Sequence, residues 1–256
     1  MQTILRTSKE CWASETEMRA ILTFHSIDDL PGPLSYSPAG LERMLDALDE
    51  ARLPVLDLDE LLADPDANGV ALTFDDGIST VFKTAMPILA ERKLPAHVFV
   101  ITNWVGGDNR WPGQPSHATP FRLMDWDQLE AIQSGGFRIE AHTASHPDLR
   151  KLTDAQIDAE MEEADSAIES HLGRRPRYFA YPYGHHDARV RAIASKRYRG
   201  SFTTKLDYLD PHAAAEALPR LDTHYLRSPT FVRALAGRPA HAYIALRRAL
   251  RRLRGY

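Results

Sequence analysis

The stretch Gly69-Val70-Ala71-Leu72-Thr73-Phe74-Asp75-Asp76-Gly77 is the most informative about the fold, because an apolar run ends directly in two neighbouring carboxylates. A strand that is apolar throughout is typical of a parallel sheet buried on both faces. In parallel α/β proteins the reactive groups gather at the carboxyl ends of strands, where Asp75 and Asp76 stand. A plain turn is the alternative explanation, because Asp and Gly are common turn residues.

Short apolar runs of this kind recur along the chain and alternate with segments of helical period. They predict strands at residues 19–24, 69–74, 96–101, 137–142, 177–181 and 198–202. Alternating strands and helices indicate βαβ units around a parallel sheet. The alternation alone leaves open whether the sheet is a closed barrel or an open sheet.

The segments between the runs predict helices that begin at Pro38, Val81, Asp125 and Asp154. Ser37 and Thr153 are suitable N-caps for the first and the last of them. Pro87 lies inside the second helix and should kink or break it. The Pro/Gly-rich segment 105–120 is too long for a plain connection, so we expect a functional loop or a cover over one end of the fold.

The composition is that of a soluble globular protein, with 43% hydrophobic and 26% charged residues among 256. No run approaches the roughly 18 apolar residues of a membrane span. Charges interrupt every apolar run near the N-terminus, so we expect no cleaved secretory signal. The single cysteine, Cys11, has no disulfide partner within the chain. We therefore expect a cytoplasmic protein.

The charge is unevenly distributed along the chain. After Asp222 there is no acidic residue, while eight of the 31 basic residues follow it, all of them arginines. The body is therefore acidic and should repel polyanions, whereas the tail should attract them. An acidic body without a recognition motif argues against a nucleic-acid partner.

A second polar motif follows another predicted strand, in His142-Thr143-Ala144-Ser145-His146-Pro147. Two histidines four residues apart would lie on one side of a helical turn and suit a shared metal ion. Such a pair is a weak signal in isolation, but its place at a strand end strengthens it. A third motif, Phe179-Ala180-Tyr181-Pro182-Tyr183-Gly184, again follows a strand, and its aromatic rings indicate either packing or the wall of a site.

Taken in order, these motifs resemble those of the polysaccharide deacetylase family, also called the NodB-homology family or carbohydrate esterase family 4. Leu221-Asp222-Thr223-His224 is similar to the short Leu-x-x-His element of the same family. The resemblance covers roughly residues 19–226. It implies a distorted (β/α)7 barrel as the catalytic domain, here residues 1–238, with residues 239–256 as a basic amphipathic C-terminal helix.

The resemblance also implies one divalent metal ion, with Zn expected first and Co, Ni or Mn as alternatives. Its ligands would be Asp76, His142 and His146, and Asp75 would be the general base. The backbone N–H of Tyr183 would donate to the oxyanion. Such a metal leaves an open position for the attacking water and polarises the acetamide carbonyl.

The chain departs from the family pattern at Ala180, where an arginine that pairs with the catalytic Asp is usual. Arg220 is our candidate for the cation that orients Asp75. For the general acid, His224 matches the family's Leu-x-x-His element, while His25 resembles a histidine of the exopolysaccharide-modifying subgroup. A hydrogen-bonded structural histidine is the alternative for either.

Further residues near the motifs have candidate roles. Glu140 and Asp148 flank the histidine motif and would suit carboxylates that hold the metal-bound imidazoles by the other ring nitrogen, or solvated surface charges. Substrate contacts are expected from Trp111, Tyr181, Pro182 and Tyr183. Trp111 is the best candidate to stack on a sugar, Trp104 is another, and Trp126 is expected to pack in the core.

The C-terminal segment has an amphipathic helical pattern. Its apolar arc contains Ala242, Tyr243, Leu246, Ala249, Leu250 and Leu253, and arginines 247, 248, 251, 252 and 254 fill the opposite arc. This pattern indicates a helix on an anionic membrane surface, which would place the protein at the inner membrane face. The alternative is a helix docked on the barrel or, in a homo-oligomer, on a second subunit, with its arginines in water.

The resulting hypothesis is a metal-dependent N-deacetylase of N-acetylamino sugars, such as N-acetylglucosamine, in an exopolysaccharide or its lipid-linked precursor. Within the family the chain is most similar to exopolysaccharide deacetylases, and the holdfast-modifying type is a narrower hypothesis. A deformylase or amidohydrolase of a small molecule would use the same metal site. A catalytically silent glycan-binding module is disfavoured because Asp75, Asp76, His142 and His146 are all present.

Overall fold

Seven parallel strands close into a barrel in the computed structural model, which describes residues 18–115 and 118–253. A separate parallel pair, β2 (Ser26–Ile27) and β3 (Ser35–Tyr36), follows the first barrel strand. The barrel strands are β1 (Arg19–Phe24), β4 (Gly69–Phe74), β5 (His97–Val100), β6 (Arg138–Ala141), β7 (Tyr178–Ala180), β8 (Gly200–Leu206) and β9 (Leu218–Asp222). The strands neighbour one another in that order, and β9 pairs with β1. The expectation of a (β/α)7 barrel is confirmed.

The barrel is distorted because several of its strand pairs are short or irregular. β6 and β7 share one residue pair, Ala141 with Phe179, whereas β1 and β4 pair along six residues. The ladder between β8 and β9 is interrupted between Phe202 and Leu206. Such irregularities re-aim the side chains near them and are frequent beside active sites.

The sequence pattern missed one barrel strand. It predicted six strands, and the structure adds β9, whose sequence is Leu218-Pro219-Arg220-Leu221-Asp222. Pro219 lacks a backbone donor and Arg220 is charged, so the segment does not have the apolar pattern of its neighbours. Only the family resemblance implied a seventh strand.

The helices are α1 (Pro38–Glu50), α2 (Leu58–Ala63), α3 (Met86–Glu91), α4 (Trp126–Ser134), α5 (Asp154–Leu172), α6 (Ala188–Ala194), α7 (Pro229–Arg233) and α8 (Arg238–Leu253). The predicted N-caps are confirmed, because the side chains of Ser37 and Thr153 accept from Gly40 N–H and Gln156 N–H. The helix predicted from Val81 begins with a wide π-helical turn at Val81–Ala85 and continues as α3 around Pro87. The predicted break near the proline is thus a local change of helical pitch.

Apolar side chains pack on both sides of the barrel wall. One cluster fills the barrel and includes Ile21, Ala71, Phe99 and Phe202. A larger cluster lies between the strands and the surrounding helices. Both faces of the strands are therefore covered, as their continuously apolar sequences predicted.

The C-terminal helix α8 docks on the barrel, but not by its apolar arc. Ala240 and Ile244 are buried, whereas Leu246 and Leu253 are exposed. Arg248 forms an ion pair with Asp207 of the barrel. The expectation that a docked helix would leave its arginines in water is met at the exposed Arg252, whereas Arg248 and Arg251 pair with Asp207 and Asp222.

Three sets of residues for which the sequence made predictions lie outside the described residues. They are Cys11 with the rest of residues 1–17, residues 116–117 in the long loop, and residues 254–256, which include Arg254. Among the helices that the structure describes, none is long and apolar enough to cross a membrane.

Candidate active site

Two strand ends supply the three candidate metal ligands. Asp76 follows β4, while His142 and His146 follow β6, and all three side chains are buried. One potential ligand atom from each lies within 4.8 Å of the others. The structure therefore brings together the set of ligands that the family resemblance implied.

The segment that carries the histidines is a loop rather than the helical turn expected from the spacing. Thr143 and His146 have left-handed backbones, with φ of 68° and 63°. His146 N–H donates to Thr143 Oγ1 at 2.9 Å, and Ser145 binds the Glu160 carboxylate. The loop folds back so that both imidazoles meet, although left-handed conformations are uncommon for residues other than glycine.

The two imidazoles present lone pairs to the same point. His142 Nδ1 lies 2.7 Å from the Ala180 carbonyl, so this nitrogen carries the proton and Nε2 is free to bind a metal. His142 Nε2 is 3.2 Å from His146 Nε2 and 3.4 Å from Asp76 Oδ1. Burial and the nearby His142 lower the pKa of His146 to about 3, which keeps its ring neutral. Two imidazole nitrogens and a carboxylate fit a divalent cation such as Zn²⁺.

Asp75 is held by Arg220, the candidate orienting cation. Arg220 donates from both terminal nitrogens to the two carboxylate oxygens of Asp75, at 2.7 and 2.6 Å, and both side chains are buried. Burial raises the pKa of Asp75, but the Arg220 guanidinium outweighs it and the pKa lies below its ordinary value. Asp75 is therefore an ionised, oriented carboxylate beside Asp76.

Aromatic rings fix Arg220 in place. Its guanidinium carbon lies 5.8 Å from the ring centres of both Phe99 and Phe202. Its Nε donates to the Thr203 carbonyl at 3.2 Å. Ala180, where the family usually has its arginine, is buried in the same cluster as the two phenylalanines. The cation thus comes from β9 instead of β7.

Trp111 and Tyr183 pack around His146. The ring centres of Trp111 and Tyr183 lie 4.7 and 4.4 Å from that of His146. Trp111 Nε1 donates to the Tyr183 hydroxyl at 3.2 Å. Trp111 is only 2% exposed, so the expected open sugar-stacking face is absent at this residue. Its ring instead supports a candidate metal ligand.

The backbone at Tyr183 has a constrained conformation. Tyr183 has φ 58° and is followed by Gly184 with φ 70°. A Cβ atom at Gly184 would lie 2.6 Å from the Thr204 backbone nitrogen, so only glycine fits. Tyr181, Tyr183 and Gly184 line the cavity beside the ligands, whereas Pro182 is buried and is not among the lining residues. The structure therefore does not support Pro182 as a substrate contact.

A cavity of about 120 Å³ lies at this end of the barrel. It is lined by His25, Leu34, Asp75, Asp76, Trp111, Gln114, His142, His146, Tyr181, Tyr183, Gly184 and Thr204. Of the two candidate acids, His25 is in this lining, and His224 is exposed and packs against Tyr225. The structure thus separates two histidines that the sequence left as alternatives. Gln114 and Thr204 belong to the lining without any sequence motif that could have indicated them.

Glu140 and Asp148 do not hold the candidate ligands. Glu140 lies 3.2 Å from His97 Nδ1 and accepts from the backbone N–H groups of Arg177 and Tyr178. Glu140 is buried two residues before His142 and is not among the residues that line the cavity. Asp148 pairs with Arg150. His146 Nδ1 has no hydrogen-bond partner among the described residues.

Trp104 and Trp126 are not among the residues that line the cavity. Trp104 packs edge-on against Trp111 at 6.3 Å. Trp126 is half-buried and stacks on His171 at 4.0 Å. The core position expected for Trp126 is therefore only partly realised, and neither ring is in the cavity lining.

Comparison with known proteins agrees with this site. The sequence profile of the family described as Polysaccharide deacetylase matches residues 63–198, just over half of the chain. The chain belongs to this family. The matched range contains Asp75, Asp76, His142 and His146, but neither His25 nor Arg220.

Curated relatives are similar over part of their length. Chitin deacetylase 1 of Cryptococcus neoformans is 33% identical over 132 residues, which cover 52% of this chain and 24% of that protein. The poly-β-1,6-N-acetyl-D-glucosamine N-deacetylase of Staphylococcus epidermidis is 26% identical over 162 residues, covering 59% of this chain and 53% of that protein. The chain thus spans about a quarter to a half of the length of these relatives.

Solved structures share the fold over most of the chain. IcaB from Ammonifex degensii has a TM-score of 0.71 at 22% identity and covers 85% of this chain and 98% of its own. The Streptococcus pyogenes deacetylase PplD in complex with acetate has a TM-score of 0.69 at 22% identity and covers 80% and 91%. At these identities the likeness concerns the fold.

Proposed function

We propose that the protein is a metal-dependent N-deacetylase that hydrolyses the acetamide of N-acetylamino sugars in a polysaccharide. The observation that carries the proposal is the ionised, arginine-held Asp75 beside three converging metal ligands. The names of the chitin and poly-N-acetylglucosamine deacetylases among the relatives support the substrate class.

Asp76, His142 and His146 would hold the metal ion, which when bound supplies Lewis-acid activation of water and of the acetamide carbonyl. Asp75 takes the proton from the attacking water, and Arg220 keeps Asp75 charged and aligned for it. The backbone N–H of Tyr183 donates to the oxygen on which negative charge develops.

His25 is the group that we place as general acid, because it lines the cavity and His224 does not. In the overall reaction the water oxygen bonds to the acyl carbon, the C–N bond breaks and the amine nitrogen takes a proton from His25. Acetate and a free amino sugar are the products. Zinc as the metal, N-acetylglucosamine as the sugar, the lipid-linked precursor and the holdfast subtype stay predictions.

The test is acetate release from chitooligosaccharides and from poly-β-1,6-N-acetylglucosamine by the full chain loaded with Zn²⁺, Co²⁺, Ni²⁺ or Mn²⁺. Asp75→Asn should abolish release and leave metal binding intact, because the amide cannot accept the proton and Asp75 is not a ligand. Asp127→Asn, at an exposed carboxylate of α4, is the matched control.

Formamide substrates, run in parallel, separate the proposal from a deformylase. Faster turnover of formamides than of any acetylated glycan would contradict the proposed substrate class. Full activity of Asp75→Asn would contradict the mechanism. Metal binding without turnover of any of these substrates would indicate a glycan-binding module.

A further inference from the structure

The inward face of α8 buries Ala240 and Ile244 and adds contacts of its arginines to the barrel. Arg248 pairs with Asp207, and Arg251 Nη1 lies 3.7 Å from Asp222 Oδ2. The Arg247 guanidinium lies 4.6 Å from the ring centre of Tyr225. These contacts use most of the arginine arc, so the helix cannot turn its arginines outward without losing them.

The outward face of α8 is consequently apolar. Tyr243 and Leu250 are each 36% exposed, Leu246 is 58% exposed and Leu253 is 84% exposed. These four are most of the six large hydrophobic side chains that are exposed in the described part of the chain. Their spacing of three, four and three residues places them in one stripe along the helix. A contiguous apolar stripe on a surface indicates a surface that meets another apolar phase.

The charges beside this stripe distinguish between its possible occupants. Arg238 and Arg252 are exposed on the same helix, and the chain has no acidic residue after Asp222. Two copies packed stripe to stripe would bring these arginines together with no carboxylate of α8 to pair with them. A layer of anionic lipid headgroups supplies the missing negative charge and, below it, an apolar phase for the leucines.

The position of the helix relates the stripe to the candidate site. Arg251 contacts Asp222, the last residue of β9. Arg247 contacts Tyr225, three residues further along the chain. The carboxyl ends of the barrel strands carry Asp75 and the candidate metal ligands. The C-terminal half of α8 therefore lies at the end of the barrel where the cavity opens.

We propose that α8 binds the protein to an anionic membrane surface through its outward stripe of Tyr243, Leu246, Leu250 and Leu253, while its inward arginines remain paired with the barrel. The leucines, rather than the arginine arc, then make the membrane contact. This orientation lays α8 along the lipid surface, with its C-terminal half at the cavity end of the barrel. Binding is independent of the proposed catalytic chemistry and is measured without turnover.

The experiment measures cosedimentation of the full chain with phosphatidylcholine vesicles that contain or lack phosphatidylglycerol. We expect binding to the anionic vesicles that weakens as salt rises, and at least about tenfold weaker binding for Leu246→Gln/Leu250→Gln, because two inserted side chains are lost. The glutamines favour helix and add no charge. Leu30→Gln is the matched control, since Leu30 is 49% exposed and lies outside α8, and it should bind as the wild type does.

Three outcomes would overturn the proposal. The first is equal vesicle binding by the wild type and the double variant, or no binding by either. The second is equal binding to vesicles with and without the anionic lipid. The third is a wild-type dimer, by sedimentation velocity, that the double variant converts to a monomer, because the stripe would then be a self-association surface. Circular dichroism of the double variant checks that α8 is retained.

Discussion

Asp75 and Arg220 are separated by 145 residues of sequence, yet they form a two-hydrogen-bond ion pair with both partners buried. Such a pair fixes the plane of the carboxylate and not only its charge. Lysine could supply the charge but not the planar fork, so the two contributions can be separated by mutation.

Arg220→Lys should therefore lower kcat by about a hundredfold, because a misaligned base transfers the proton poorly. KM and metal stoichiometry should change little, since Arg220 lies among neither the cavity lining nor the candidate ligands. Steady-state kinetics with metal analysis gives all three quantities. Arg92→Lys, in a surface pair with Asp46, is the control, and an equal loss of activity there would refute the specific role of Arg220.

The support of His146 is a second feature at the residue scale. Its Nδ1 has no hydrogen-bond partner in the described part of the chain, so packing by Trp111 and Tyr183 must orient the ring. Metal ligands are ordinarily oriented by a hydrogen bond, and the loss of such support typically weakens metal binding by about ten- to a hundredfold.

Trp111→Ala should accordingly weaken metal affinity by about tenfold, because the His146 ring loses one of its two aromatic neighbours. Competition with a metallochromic chelator measures the dissociation constant directly. Trp126→Ala removes a tryptophan that stacks on His171 and is not among the cavity-lining residues, and it should leave the affinity unchanged. Unaltered affinity in Trp111→Ala would show that the loop backbone alone positions His146.

The positions of the candidate site residues were predictable where a short motif contains them. Asp75, Asp76, His142 and His146 stand in contiguous motifs at strand ends, and the structure gathers all four. The choice between His25 and His224 could not be made from sequence, because both follow predicted strands or motifs and only the fold decides which ring faces the cavity. The packing of Trp111 on His146 joins two loops and leaves no local pattern.

At the scale of elements, the polar interior of β5 and β6 was not predicted. His97 Nδ1 lies 3.2 Å from Glu140, and its Nε2 lies 3.4 Å from Asp57 Oδ2. The Tyr178 ring packs edge-on against the imidazole at 5.7 Å. Burial lowers the pKa of His97, but the two carboxylates outweigh it and the pKa lies above its ordinary value. The hydrogen bond from His97 lowers the pKa of Asp57 to about 2.

His97→Gln should destabilise the barrel by about 3 kcal/mol near pH 6, because it breaks a buried charged pair. The pKa of His97 is raised by folding, so its stabilisation is complete below the unfolded pKa of about 6.5 and is lost as pH rises through the folded value. The difference in unfolding free energy between wild type and variant should therefore shrink between pH 6 and pH 9. Urea denaturation at the two pH values measures it.

An exposed histidine provides the control for this prediction. The free energy of unfolding of His171→Gln should differ little from that of the wild type, and this difference should not shrink between pH 6 and pH 9. His171 lies on the surface of α5. If the difference in unfolding free energy between wild type and His97→Gln is the same at both pH values, the His97 imidazole is neutral in the folded barrel.

The elements were predicted best where their patterns are strongly apolar or capped. β1 and β4 have the predicted bounds, and α5 runs from Asp154 to Leu172 as expected from Thr153 and Gly173. β9 was missed because Pro219 and Arg220 obscure its pattern, although its barrel position makes it indispensable to the site. Local propensity is overridden there by the closure of the barrel.

At the scale of the whole molecule, charge asymmetry contributes to how the last helix docks. The first 222 residues carry all 35 acidic side chains, and eight arginines follow them. The amphipathic pattern of α8 was visible in the sequence, but the pattern alone cannot say which face meets the barrel. In the structure the leucines face outward, while the face toward the barrel buries Ile244 and pairs Arg248 and Arg251 with Asp207 and Asp222.

Because Arg220 comes from the last barrel strand, the candidate site is completed late in synthesis. A nascent chain that ends before Leu218 already contains Asp76, His142 and His146, but it lacks the arginine that aligns Asp75. Such a chain would have the ligands for a metal and no working base. The arrangement of Asp75 beside the candidate ligands is therefore completed only after β9 has been synthesised and has closed the barrel.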